Sequence, residues 1–158
     1  MTATTAQDLL QVVSFRLAAE EYAFPITMVK EVILPAGITR VPQMPACIEG
    51  VINLRGAVIP VVDLRTRFGL VATPATEHTR ILIAKPGGRV VGFIVDAVSQ
   101  VLKIRRDQVQ TPPETIAGIA QKYLHGIAKI SDDRMIILLD VEAVLHTDDL
   151  KAMAGVAA

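Results

Sequence analysis

The chain has few aromatic residues and almost no cysteine. Aromatic residues make up 4% of its 158 residues and Trp is absent, so Val, Ile, Leu and Ala must supply most of the core. The many β-branched residues among them favour strands. Cys47 is the only cysteine, which excludes an intramolecular disulfide and a cysteine-rich metal site. Its apolar neighbour Ile48 favours a small buried side chain at Cys47 over a nucleophile.

The chain also lacks a net charge and any run of basic residues. Sixteen basic residues balance sixteen acidic ones. A nucleic-acid-binding protein normally needs a cationic surface and often stacking aromatics, so this composition argues against nucleic acid as a partner. The apolar runs are shorter than the ~18 residues of a membrane span, and the N-terminus does not read as a signal peptide. We therefore expect a soluble, cytoplasmic protein.

Residues suited to catalysis are sparse. His78, His125 and His146 lie in unrelated contexts without the spacing of a metal site, and no glycine-rich phosphate loop is present. Asp63 and Asp140 occupy matching positions in two similar segments, as the dyad of an aspartic protease would. Neither is followed by the small hydroxyl residue and glycine of that motif, and helix N-capping explains both more simply. The sequence predicts no catalysis, no metal and no cofactor.

The most informative segment is IEGVINLRGAVIPVVDLR, residues 48–65. Two apolar runs flank the turn-forming tetrapeptide NLRG, and a weaker copy, HGIAKISDDRMIILLDVE, occurs later. Only the first copy carries the NLRG turn, so the two halves are not expected to be equivalent. Arg55 interrupts a nearly continuous apolar hairpin and is therefore a candidate binding residue.

An internal repeat extends beyond these two segments. Gly126 matches Gly50 (126−50 = 76) and Phe93 matches Phe24 (93−24 = 69). Each half has the order strand, turn, strand, short helix, strand, and then a hairpin. The polar segment 71–79 is the predicted boundary between the halves. Short strands with frequent turn signals indicate small barrels rather than a doubly wound sheet.

Several local elements are predicted on turn and capping signals. Residues 51–62 and 124–139 are predicted hairpins, and Pro60 indicates an edge strand or a bulge. Asp96 is predicted to cap a short segment that carries Val98 and Val101, with extended structure from Leu102. Two helices are predicted near the end of the chain, one over residues 113–120 and one after Asp140.

Four stretches of the chain resemble the CheW family of chemotaxis coupling proteins. They are EEYAFPITMVKEVI, TRVPQMPACIEGVINLRGAVIPVVDLRTRF, GRVVGFIVDAVSQVL and YLHGIAKISDDRMIILLDVEAVL. The resemblance implies a mainly β fold with two tandem five-stranded SH3-like β-barrel lobes, short helices and a C-terminal helix. It implies a single domain over residues 9–148, with loose termini at 1–8 and 149–158. Lobe 1 would span 12–70 and lobe 2 would span 80–148, and an exchange of terminal strands between them stays open.

The resemblance also implies a function. The chain would be a non-catalytic adaptor that couples methyl-accepting chemoreceptors, at their cytoplasmic tips, to the regulatory domain of the histidine kinase CheA. It would be cytoplasmic and would reach membrane-associated arrays only through the receptors. An adaptor of another chemosensory pathway, such as pilus-based motility, is the alternative.

Two groups of site residues follow from the resemblance. The positions matched to receptor binding, at a groove between the lobes, are Val29, Glu31, Arg55 and Val101. The positions matched to kinase binding are Ile38, Thr39, Arg40, Val41 and Gly50. For Gly50 a structural role, through close packing or a positive φ, is an alternative that the matching Gly126 favours.

Overall fold

A computed structural model describes residues 9–42, 48–68, 70, 74–85, 88–111, 115–116, 119–120 and 123–144. The predictions made for Cys47, for the termini at 1–8 and 149–158, and for part of the 71–79 segment lie outside these ranges.

Strands dominate the described residues. They are β1 (Leu9–Leu17), β2 (Glu20–Pro25), β3 (Val29–Ile33), β4 (Ile48–Leu54), β5 (Ala57–Asp63), β6 (Arg80–Ala84), β7 (Val91–Val95), β8 (Ala97–Arg105), β9 (Val109–Gln110), β10 (Thr115–Ile116), β11 (Ile119–Ala120), β12 (Leu124–Ser131) and β13 (Arg134–Leu139). Two short helices, α1 (Leu64–Arg67) and α2 (Val141–Val144), follow β5 and β13.

The strands form two main sheets, which confirms the prediction of a mainly β, SH3-like fold. One sheet has the order β3-β6-β7-β5-β4, and the other has the order β8-β1-β2-β13-β12-β9. In the second sheet the edge strands β8 and β9 are joined by a single 3-10 turn, Arg106–Gln108, so the sheet must curl. In the first sheet Thr39, shortly after edge strand β3, pairs with Val51 of the opposite edge. We call these units the five-stranded lobe and the six-stranded lobe.

Neither lobe is built from one half of the chain. The hairpin β1–β2 joins β8, β9, β12 and β13, whereas the hairpin β6–β7 joins β3, β4 and β5. The sheets therefore do not follow the predicted division into 12–70 and 80–148. Each half contributes its first hairpin to the lobe formed mainly by the other half. Parallel pairings of β2 with β13 and of β5 with β7 join the exchanged hairpins to their hosts.

The strand registers reproduce the sequence repeat. Val13 lies opposite Phe24 in β1–β2, as Leu82 lies opposite Phe93 in β6–β7. Gly126 lies opposite Leu138 and Gly50 lies opposite Val61, each beside a register shift. These registers match each strand of the five-stranded lobe to one strand of the six-stranded lobe, in which β9 is the additional strand.

The core has three parts. Each lobe has a small aliphatic cluster of its own, and a larger cluster lies between the two sheets. All four phenylalanines lie in the central cluster, where Phe24 of one exchanged hairpin meets Phe93 of the other with ring centroids 5.3 Å apart. Burial in this cluster raises the pKa of Tyr22 to about 12. The exchanged hairpins thus bring the scarce aromatic residues to the junction of the lobes.

Three local predictions were wrong. Asp96 caps no short segment, because β8 begins at Ala97 and continues to Arg105, so Val101 lies within a strand. The 113–120 segment contains the two-stranded pairing of β10 with β11 instead of a helix. Pro60 lies in an interior strand, and the nearby register shift falls between Ile48 and Gly50. Its missing N–H is tolerated because, within the described residues, β5 pairs with β7 only from Val61 onwards.

The capping predictions for Asp63 and Asp140 were confirmed. The Asp63 carboxylate accepts a hydrogen bond from the backbone N–H of Arg65 at 2.9 Å. The Asp140 carboxylate accepts hydrogen bonds from the backbone N–H groups of Glu142 and Ala143 at 3.1 and 3.2 Å. Both aspartates satisfy the free N–H groups at the start of a helix.

Candidate binding surfaces

The NLRG segment forms the tight turn between β4 and β5. Arg55 and Gly56 have φ values of 52° and 89°, as a two-residue hairpin turn with positive φ at both central positions requires. The side chain of Asn53 accepts a hydrogen bond from the backbone N–H of Gly56 at 2.9 Å, which fixes the turn. Arg55 is thereby held at the tip, with 70% of its side chain exposed.

Arg55 does not extend freely into solvent. Its guanidinium donates to both carboxylate oxygens of Glu31 in β3, with Nη1 3.2 Å from Oε1 and Nη2 bonded to Oε2. The hydrogen bond from Arg55 lowers the pKa of Glu31, and the same bond raises the pKa of Arg55. Two predicted receptor-binding residues are therefore one bidentate ion pair, which orients the guanidinium while leaving most of it accessible.

The other two predicted receptor-binding residues lie on different lobes. Val29 is two residues from Glu31 in β3 and packs against the central cluster. Val101 lies on edge strand β8 of the six-stranded lobe, and 54% of it is exposed. Val32, which corresponds to Val101 by register, is exposed as well. The structure thus joins Glu31 to Arg55, places Val29 next to them, and places Val101 on the neighbouring lobe.

The predicted kinase-binding residues converge at the edge of the five-stranded lobe. Thr39 and Val51 exchange two backbone hydrogen bonds of 2.8 Å, which places the 38–41 segment beside β4 and Gly50. Ile38 packs against the core of this lobe, whereas Thr39 and Arg40 are exposed. These residues therefore form a single patch, although they come from two separate segments.

Close packing explains Gly50. A Cβ atom at this position would lie 2.2 Å from the carbonyl oxygen of Thr39 and 2.8 Å from its carbonyl carbon. The equivalent Gly126 is similarly confined, since its Cβ would lie 2.6 Å from a methyl group of Val109. The glycine at each position allows a neighbouring segment to approach the bulged strand. Gly50 is thus a support for the 38–41 segment.

Two features of these surfaces were not predicted. Glu49, in the bulge of β4, pairs with Arg40 at 3.6 Å. Arg65 is buried and forms ion pairs with Asp63 at 3.1 Å and with Asp96 at 3.0 Å. Burial lowers the pKa of Arg65, but its bonds to the two aspartates outweigh this effect and leave the pKa raised. The short spacing of Asp63 and Arg65 gives no indication of the third partner, because Asp96 lies 31 residues after Arg65, between β7 and β8.

Nothing in the described residues suggests metal binding or membrane insertion. Within the ranges that the structure describes, no cluster of three or more histidine, cysteine, aspartate or glutamate side chains is placed to hold a metal. Within the same ranges, every helix is too short or too polar to cross a bilayer.

Comparison with known proteins supports the resemblance seen in the sequence. The model of the CheW-like domain matches residues 11–149. The chemotaxis protein CheW of Helicobacter pylori is 36% identical over 142 residues, covering 90% of this chain and 85% of that protein. The CheW of Klebsiella aerogenes is 36% identical over 154 residues, covering 98% of this chain and 90% of its own.

A solved structure is similar throughout the fold. The crystal structure of the scaffolding protein TtCheW from Thermoanaerobacter tengcongensis matches with a TM-score of 0.81 and 38% identity, covering 89% of this chain and 94% of that chain. The structural match extends over most of both chains and therefore supports the fold described above. The chain belongs to the CheW family of chemotaxis scaffolding proteins.

Proposed function

We propose that the chain is a non-catalytic adaptor that couples methyl-accepting chemoreceptors to the histidine kinase CheA. The observation that carries this proposal is the bidentate Arg55–Glu31 pair, held exposed on the NLRG turn, a motif that the second repeat lacks. A rigid, oriented guanidinium on an apolar hairpin suits recognition of another protein better than it suits solvation alone.

The receptor would bind at Val29, Glu31, Arg55 and Val101. The tip of a receptor is expected to present helices, and an apolar surface with charges at its edge fits helix-in-groove recognition. The exposed face of Val101 would supply apolar contact area, whereas the Arg55–Glu31 pair would set the orientation of the helix. In this account the receptor contacts both lobes at once.

The regulatory domain of CheA would bind at a separate patch formed by Ile38, Thr39, Arg40 and Val41. Gly50 supports this patch by admitting the backbone of Thr39 against β4. Apart from Val101, both patches lie on the five-stranded lobe, and in this proposal one chain would hold both partners together. The protein would act in the cytoplasm and would reach the membrane only through the receptors.

The proposal requires that receptor control of the kinase depends on this chain. Kinase phosphorylation rates are measured with receptor-bearing membranes, CheA and the chain, with and without a receptor ligand. We expect ligand to change the rate only when the chain is present, and Arg55→Ala to abolish that change. An equal ligand response without the chain would refute coupling.

A further inference from the structure

Ser14 places a fully buried hydroxyl group in the six-stranded lobe. It lies in β1 and is the only buried polar side chain among the described residues in the strands of this sheet. A buried hydroxyl group is costly unless it has a hydrogen-bond partner. The Ser14 hydroxyl donates to the backbone carbonyl of Gln100 in β8, with 3.2 Å between the two oxygens. This bond joins the interior of the lobe to its edge strand.

Gln100 lies at a bulge in the edge strand β8. The pairing of β1 with β8 shifts directly after Ser14, and Ser99 is the extra residue. Val101, the proposed receptor contact on this lobe, follows Gln100 immediately. Bulges at the edge of a sheet commonly redirect the side chains beside them. The bond from Ser14 therefore holds the backbone at the point that sets the direction of Val101.

A second acceptor lies near the same hydroxyl group. Glu21 in β2 is held by Arg134, which donates to its two carboxylate oxygens at 3.1 and 2.9 Å. Hydrogen bonding by Arg134, and to a smaller extent by Ser14, lowers the pKa of Glu21, whereas burial opposes this. A serine hydroxyl has one proton, so it cannot donate to Gln100 and Glu21 at once.

The Arg134–Glu21 pair favours donation from Ser14 to Gln100. Two donors from Arg134 already satisfy the Glu21 carboxylate, which leaves the proton of Ser14 available to the carbonyl. The 3.2 Å separation is longer than the ~2.7–2.8 Å typical of hydroxyl donors, as expected for a proton that lies between two acceptors.

The five-stranded lobe fixes the equivalent position by different contacts. The counterpart of Ser14 is Ile83 in β6. Ile83 lies opposite Glu31, at a register shift of β3 like that of β8. The side chain of Ile83 has no hydrogen-bonding group, and Glu31 is held by Arg55 instead. Each lobe thus fixes a bulged edge strand, one through an ion pair at its surface and the other through a buried hydroxyl group.

We propose that Ser14 is a positioning residue for receptor binding, because its bond to Gln100 fixes the bulge that presents Val101. This role rests on the proposed function, in which Val101 is a receptor contact. Ser14 itself is buried and would not touch the receptor. Without its hydroxyl group, β1 would still pair with β8, but the backbone at the bulge would be less restrained. Val101 would then lose more conformational freedom on binding, which lowers the affinity.

The first measurement uses NMR on the full chain without a partner. Ser14→Ala removes the hydroxyl group, and Ser14→Thr and Ser14→Val form a matched pair of similar shape that differ in it. In the Ala and Val variants we expect the carbonyl carbon shift of Gln100 to change. The backbone order parameters of residues 99–101 should fall from about 0.85 toward about 0.6, the values of rigid and flexible backbone. Ser14→Thr should stay near the wild type.

The control is Ser131→Ala, which removes an exposed hydroxyl group bonded to Asp133 at 2.9 Å in the same lobe. It should change neither the Gln100 shift nor the order parameters. An unchanged Gln100 shift in Ser14→Ala would overturn the proposal.

The second measurement determines whether Ser14 acts on the receptor through Val101. Affinity for receptor-bearing membranes is measured for Ser14→Ala, Val101→Ala and the double variant, with thermal unfolding as the check on folding. We expect Ser14→Ala alone to raise the dissociation constant about threefold. It should have no further effect in the Val101→Ala background, because it acts through that side chain. Ser14→Thr should keep wild-type affinity, whereas Ser14→Val should not.

The results distinguish the role of Ser14 from the proposed function. Weaker binding in Val101→Ala together with wild-type affinity in Ser14→Ala would overturn the positioning role and leave the receptor site in place. Additive losses in the double variant would also overturn that role, since Ser14 would then act elsewhere. Wild-type affinity in Val101→Ala would contradict the proposed receptor contact, and the role of Ser14 with it.

Discussion

At the scale of single residues, the NLRG turn and the close packing at Gly50 were predictable from the sequence, but the residues that contact them were not. The NLRG motif identified Arg55 as an unusual cation, because a charge within an apolar hairpin is conspicuous in sequence. Its partner Glu31 lies 24 residues earlier, so that pairing depends on the packing of β3 beside the turn. Local motifs reveal which side chains are constrained, whereas the tertiary fold decides what they contact.

Gly50 offers a test of the packing role. Gly50→Ala places a methyl group 2.2 Å from the carbonyl oxygen of Thr39, where only backbone movement can relieve the clash. We expect a loss of about 2–3 kcal/mol in unfolding free energy, measured by urea denaturation, together with weaker CheA binding.

The control for this prediction is Gly126→Ala at the equivalent position. Its Cβ would first meet a methyl group of Val109, and the nearest backbone atom lies at 3.0 Å. Because a side chain can shift more easily than backbone, Gly126→Ala should cost less than Gly50→Ala. An unfolding free energy of Gly50→Ala equal to that of the wild type would show that Gly50 acts only as a binding residue.

At the scale of elements, the hairpins and the caps at Asp63 and Asp140 were predicted well because their signals are local. The extended structure predicted from Leu102 is the second part of β8, but the first part, from Ala97, was missed. This edge strand has one face exposed to solvent, so Val101 is exposed and the apolar alternation is broken. The pairing of β10 with β11 was missed because Pro113 was taken as the start of a helix. A short segment with proline is compatible with both structures until its neighbours are known.

Arg65 connects elements of both lobes. It pairs with Asp63 at the end of β5 and with Asp96, whose other carboxylate oxygen accepts from the backbone N–H of Ala18 at 2.7 Å. Arg65→Met would leave two poorly compensated carboxylates and should cost about 3 kcal/mol of unfolding free energy in urea. The exposed Arg105→Met should cost less than about 0.5 kcal/mol. Equal losses for the two variants would show that the buried network contributes little.

Glu21 and Arg134 tie β2 to the start of β13 by hydrogen bonds of 3.1 and 2.9 Å. The bond from Arg134 lowers the pKa of Glu21 in the folded state. This stabilisation is present above the unfolded pKa of about 4.3 and is lost as pH falls through the lower folded pKa.

Glu21→Gln should therefore make the unfolding free energy depend less on pH in the acidic range. We expect a loss of about 1 kcal/mol at pH 7 and a smaller difference from the wild type below pH ~4, measured by thermal unfolding across pH. Asp107→Asn, in an exposed pair, is the control and should keep the slope of the wild type. If the difference in unfolding free energy between Glu21→Gln and the wild type increased as the pH fell, this prediction would be contradicted.

At the scale of the whole molecule, the repeat was predicted but the exchange of hairpins was not. The matching positions of Phe24 and Phe93 imply two similar units, and either hairpin could complete either lobe. Tertiary packing decides which lobe each hairpin joins. A prediction that paired strands in sequence order would have assigned both hairpins to the wrong lobe. A duplicated sequence therefore predicts two similar lobes but does not predict which strands belong to each lobe.

The exchange predicts that the halves depend on each other for folding. A break after Ala75 gives fragments 1–75 and 76–158, each lacking a hairpin of its own lobe. We expect neither fragment to unfold cooperatively alone by circular dichroism, and the mixed fragments to regain the strand signal and a single transition. The intact chain with a protease site inserted after Ala75 is the control. Cooperative unfolding of either fragment alone would contradict the dependence.

We propose that one chain holds receptor and kinase at two separate patches. The most direct measurement is co-sedimentation with receptor-bearing membranes and the CheA regulatory domain, with each partner alone and then together. We predict that Arg55→Ala keeps the kinase domain but loses the receptor, that Arg40→Glu does the reverse, and that both lose the ternary complex. If thermal unfolding stays unchanged and either variant loses both partners or neither, the account of two patches is contradicted.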